Sequence, residues 1–193
     1  MTRINCILFL SIVLFKFQCF SQIIENDIFG DFSHKSSDGL YNAFLKKDIF
    51  DNLSFTDSNK NEIVFKKKYL KLNYNKVTED IHAKILFFKD LINVHRDNIE
   101  YKITYSINIH DKVVVEDNRG FKEEIGKNIF NGLEYKSNEK QASLKKDIFN
   151  YWVYEDSSGN KFQFSNRTWR NLKHTHYSNE NVFTFLINSF LLF

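Results

Sequence analysis

One hexamer, Leu-Lys-Lys-Asp-Ile-Phe, stands at residues 45–50 and again, letter for letter, at 144–149. Extending both copies lays DIFDNLSFTDSNKNEIVF (48–65) over DIFNYWVYEDSSGNKFQF (147–164). Segments beginning at Asp27, Asn108 and Asn128 fall into the same frame, roughly twenty residues apart within each cluster. A short fixed period is the mark of one supersecondary unit copied in tandem.

Each unit has the same internal order. It opens with Asn or Asp, then Ile, then an aromatic residue, with His110 in one copy. Turn formers follow, as at Gly30-Asp31, Asp51-Asn52 and Asn131-Gly132, and these predict the hairpin tips, because Gly and Asn tolerate positive φ. Apolar residues then alternate, as in Leu53 and Phe55, Leu133 and Tyr135, Trp152 and Tyr154. Period two denotes a strand with one buried face. A polar cluster and a returning strand complete the unit. The clearest alternation, from Ile99 to Ile109, predicts a strand over 98–107 that links the two clusters.

Two apolar helices interrupt the pattern, at about 78–95 and 179–193. Thr78-Glu79-Asp80 and Ser178-Asn179-Glu180 supply cap chemistry before each apolar series. Placing Ile81 over Val182 aligns them at nearly the offset of the hexamer, and Tyr69 and Leu72 fall over Trp169 and Leu172. The expected architecture is therefore α+β: an antiparallel β-meander of ~20-residue hairpin repeats, internally duplicated. Half A would run over 22–95 and half B over 108–193, within a single domain of residues 22–193. The second helix is too apolar for a half-solvated one, which predicts deep burial or a covering partner.

Residues 1–21 read as an export signal: Arg3, an apolar run from Cys6 to Phe15, and small residues at Cys19 and Ser21. Cleavage after Ser21 puts the mature chain in a periplasmic or extracellular setting, with no transmembrane segment; a lipid anchor at Cys19 is the alternative. Arg3 and Lys16 leave with the leader and remove two of the three excess positive charges. The remaining chain is near neutral and gives no argument for nucleic acid. Both cysteines leave as well, so stability must come from the core. With 21 Phe and no Pro, the composition is that of a folded chain.

Candidate sites are few. Tyr151, Trp152, Tyr154 and Trp169 would suit sugar stacking or a protein contact if exposed; Trp152 and Tyr154 also occupy the inward positions of Leu53 and Phe55. His174 and His176 would share one face of a strand and could bind zinc with a third ligand such as Glu180 or His82. Asp57-x-Asn59-x-Asn61 imitates the start of a calcium loop, but the equivalent turns do not keep its spacing. No phosphate loop, nucleophile elbow or metalloprotease motif is present, and no cofactor is implied. The expectation is an exported, non-catalytic protein that binds another protein or itself, through a sheet face or the apolar C-terminal helix. A glycan-binding module and a metal-dependent hydrolase are the alternatives.

Overall fold

A computed structural model describes residues 23–192. The expected leader, its cleavage after Ser21 and the Cys19 anchor lie outside these residues. The described residues form a sheet of 12 strands lying side by side in sequence order. Five strands come first: β1 Ile23–Asn26, β2 Phe32–Lys35, β3 Asn42–Lys47, β4 Leu53–Asp57 and β5 Glu62–Phe65. Helices α1 Lys67–Asn73, α2 Asn75–Glu79 and α3 Ile81–His95 follow. Then come β6 Lys102–Ile107, β7 Val113–Asp117, β8 Lys122–Lys127, β9 Leu133–Ser137, β10 Gln141–Lys146, β11 Trp152–Asp156 and β12 Lys161–Phe164. Helices α4 Asn166–His176 and α5 Asn179–Leu186 complete the described chain, with a π-helical turn over Ile187–Leu191.

The meander is antiparallel except at one place. β5 and β6 pair in parallel, Ile63 beside Ile103 and Phe65 beside Tyr105. A parallel pair cannot be closed by a hairpin, and α1–α3 supply the crossover. The direction of the meander is thereby preserved across the middle of the sheet. The loops after β1, β3, β6, β8 and β10 all emerge at one edge, and the other hairpin loops at the opposite edge.

One face of the sheet is apolar and carries the helices. Phe32, Leu45, Phe55, Ile63 and Ile103 stand next to one another across five strands. Phe88 of α3 packs onto this row, its ring 6.1 Å from Phe55 and 6.3 Å from Phe32. A second core holds Leu133, Leu144 and Tyr154 under Phe183, Leu186 and Ile187. The other face is mainly polar, with Phe44, Val64, Val114 and Val153 set among ion pairs between neighbouring strands such as Lys102–Glu62, Lys122–Glu116 and Lys161–Glu155. Exposed pairs of this kind add little stability. Gly126 of β8 lies so close to Lys112 that a Cβ there would stand 2.7 Å from its Cγ.

The helices depart from the sequence expectation at their ends. α3 starts at Ile81 because Asp80 is the cap, its carboxylate accepting from Ala83 N; α2 occupies 75–79 separately. The stretch after β5 that holds Tyr69 and Leu72 is helical as α1. The polar stretch 166–176 is helical too, since Ser165 caps it and Trp169 and Leu172 recur at helical spacing. The strand expected over 98–107 begins only at Lys102, because Glu100 takes a left-handed φ of 54° and Tyr101 N bonds to Asn61 Oδ1 at 2.9 Å. The C-terminal helix turns Val182, Phe183, Leu186, Ile187 and Leu191 onto its own sheet.

Asn61 ties the first helical layer to the sheet. Its amide contacts Asp57 Oδ2 at 2.9 Å, His95 O at 3.0 Å and Asn98 O at 2.9 Å. Asn160 plays the same part in the second half, reaching Asp156 Oδ2 at 3.0 Å and Phe190 O at 3.1 Å. Removing the buried Asn61 amide leaves several polar atoms without partners, so Asn61→Ala is expected to cost about 2–3 kcal/mol in urea unfolding. Ser37→Ala, on an exposed loop, is expected to stay within about 0.5 kcal/mol.

Candidate functional site: an apolar row of hairpin tips

Eight hairpin loops share one device. In the loop after β3, Asp48 Oδ1 accepts from Phe50 N and Asn52 N, both at 2.9 Å. Asp51 N donates to Asp48 O, Asp48 N donates to Asn52 O, and Asp51 adopts φ 63°. Asp27, Asn108, Asn128 and Asp147 repeat this arrangement along the same edge. The positive-φ position is filled by Gly30, Asp111, Asn131 and Asn150, residue types that tolerate it. Asp57, Asp117 and Asp156 build the same loop at the opposite edge.

This geometry moves the tips from their expected places. The turn residues Gly30-Asp31, Asp51-Asn52 and Asn131-Gly132 sit at the return of each loop. The tip itself is the Ile-aromatic pair, because the Asx side chain closes a turn over the two residues that follow it. The isoleucines Ile28, Ile49, Ile109, Ile129 and Ile148 are 88–92% exposed, and Phe29, Phe50, Phe130 and Phe149 are 70–83% exposed. His110 takes the aromatic place in the middle loop and is exposed.

The opposite edge is an internal control. There the same loop carries Ser58-Asn59, Asn118-Arg119 and Ser157-Ser158 at its tip. The hydrogen bonding therefore does not require apolar tips. Lys47 and Lys67 both reach Asp51 and hold its carboxyl down at about 2, and Lys68 pairs with Asp111.

A groove opens at this edge between the two helical layers. Its floor is Ile107, Val113, Ile125 and Leu133, α1 and α5 form its walls, and its volume is about 760 Å³. Next to it on the same face, between Val115 and Ser137, stands Glu123. Burial pushes its carboxyl pKa up, and its hydrogen bond is a long one, 3.4 Å from the Tyr135 hydroxyl.

The sequence-derived candidates fall elsewhere. Trp152 and Trp169 stack at 4.8 Å under α4, Trp169 donates to Asn179 Oδ1 at 3.0 Å, and Tyr154 is fully buried. Tyr151 is the more exposed member of this group. His174 and His176 lie on α4 rather than on a strand, so two-residue spacing does not put them on one face; His176 stacks on Phe185 at 4.5 Å. Among the described residues no three His, Cys, Asp or Glu side chains gather as a metal site would need. In the calcium-like loop both Asp57 oxygens already accept hydrogen bonds, from Asn59 N, Asn61 N and Nδ2, and the Tyr41 hydroxyl.

The titrating groups make opposite contributions. Asp48, Asp51 and Asp156 have carboxyl pKa values below the usual range, each held there by hydrogen bonds, although burial opposes this at Asp156. Their stabilisation is complete above the unfolded-state pKa near 4 and is lost as pH falls through the folded values. Glu123 has the reverse sign: it costs stability where it is ionised and nothing below the unfolded pKa. Glu123→Gln is therefore expected to raise the unfolding midpoint at pH 7, with the gain vanishing by about pH 4; a pH series of thermal melts checks it. No family model, curated protein or solved structure matches this chain.

Proposed function

We propose that this chain is an exported, non-catalytic β-repeat protein that binds another protein through the row of Ile-aromatic tips. The observation that carries the reading is the contrast between the edges: one loop geometry, apolar at five tips on one side and polar on the other. Side chains that the loop does not need, and that water does not favour, are explained by a partner that covers them. Exposed phenylalanines present roughly 150 Å² each, and with the isoleucines the row exceeds the ~800 Å² per side of a standard interface. Partner contact through the outer sheet face has less support, because that face is charged and paired with itself. Contact through the C-terminal helix has less support, because Val182, Phe183, Leu186, Ile187 and Leu191 are spent on the sheet and only Phe185, Phe190 and Leu192 stay part-exposed.

The proposal extends to origin: the two halves are copies of one unit. Supporting this are the matched roles of Asp48 and Asp147, of Asp57 and Asp156, and of Asn61 and Asn160. The glycan reading is weakened by the burial of Trp169 and Tyr154, and the hydrolase reading by the placement of the histidines on a helix.

The test replaces Phe50, Phe130 and Phe149 together with Ser. Because these side chains face water, the melting temperature is expected to shift by no more than about 3 °C. Affinity capture from the envelope fraction of the producing cell is expected to lose the partners held by the unaltered protein, since a buried aromatic anchor is worth about 2 kcal/mol or more. Recovery of the same partners by both proteins contradicts the reading.

A further inference from the structure

We propose that the groove between the two helical layers is a binding site for a single-chain amphiphile with an anionic head group. This does not rest on the tip reading, although the groove opens at the tip edge and His110 and Asp111 of the middle loop line it. The groove exists because the helical cover is built in two parts. One core lies under α1–α3 and the other under α4–α5. Ile107, Val113 and Ile125 are only partly covered by either. The resulting space, about 760 Å³, falls within the range that holds small ligands.

The floor decides what kind of occupant fits. Every strand beneath it, β6 to β9, is hydrogen-bonded to a neighbour on both sides. An extended peptide would find no main-chain partner there and would bury its own amides unsatisfied. A hydrocarbon tail has no such need and gains from covering Ile107, Val113 and Ile125, which the fold leaves partly exposed. Leu72 and Phe183 flank it on the two walls.

The rim decides the charge of the head. Three lysines border the groove. Lys68 is engaged by Asp111 and Lys127 by Glu180. Lys71, from the last turn of α1, makes no ion pair among the described residues, so the rim has one uncompensated ammonium. An anionic head placed at Lys71 lets the tail run over Ile107, Val113 and Ile125. A fatty carboxylate and a lysophospholipid share this chemistry.

Isothermal titration calorimetry on the full protein tests it below the micellar concentration of each probe. Dodecanoate and lysophosphatidylglycerol are the anionic probes and dodecyltrimethylammonium the cationic one. One-to-one binding of an anionic probe is expected, and whichever of the two binds more tightly identifies the source of the head group. Lys71→Glu, at an exposed position, is expected to weaken binding at least ten-fold with an unchanged melting temperature. Ile125→Trp is expected to block the floor. Phe149→Ser, at a tip, is expected to bind as tightly as the unaltered protein, which separates this site from the partner edge. Equal affinity for cationic and anionic chains, or no binding of either, overturns the proposal and leaves the tip reading standing.

Discussion

A single side-chain oxygen accepting two main-chain N–H groups organises this molecule. Asp27, Asp48, Asn108, Asn128 and Asp147 do it on one edge, and Asp57, Asp117 and Asp156 on the other. The loop is thereby closed from inside, by its first residue and by a fourth residue that accepts positive φ. The side chains of its two central residues take no part in closure. They are free to be serine and asparagine where the loop meets water alone, or isoleucine and phenylalanine where something else is asked of them. Strands of only four to six residues suffice, because each hairpin register is fixed at its loop.

The parallel joint between β5 and β6 gives this local device a long-range consequence. A purely antiparallel continuation from β5 would have reversed the edge at which later Ile-aromatic loops emerge. The crossover through α1–α3 keeps all five on one side. It also places the first helical layer over β2–β7, so that the second, which follows β12, covers the far end of the same face. The seam over β7 and β8 is the remainder, and both the groove and the partly buried Glu123 belong to it.

Much of this was legible in the residues. Period-two apolar positions located the strands, since Leu53, Phe55, Trp152 and Tyr154 do face the helices. The tips were not, because Asn131-Gly132 is a strong turn signal in isolation and the anchoring role of Asn128 three residues earlier outweighs it. The signal lies in the spacing: an Asx followed by two variable residues and then Gly, Asn or Asp recurs at both edges, with Lys60 the exception after Asp57. Helices α1 and α4 give a weak periodic signal because their polar faces dominate; only Tyr69, Leu70 and Trp169 are buried there. Pairing of β5 with β6 depends on tertiary packing, which periodicity does not encode. The aromatic candidates illustrate the same point: Trp152 and Trp169 meet, but packed between the sheet and α4, a helix where the sequence predicts a strand.

Selective isoleucine methyl labelling with a soluble paramagnetic probe measures the central claim most directly. The δ1 methyls of Ile28, Ile49, Ile109, Ile129 and Ile148 should broaden together, while Ile63, Ile92, Ile103 and Ile187 stay sharp. Tip methyls as protected as those of the core would contradict the account.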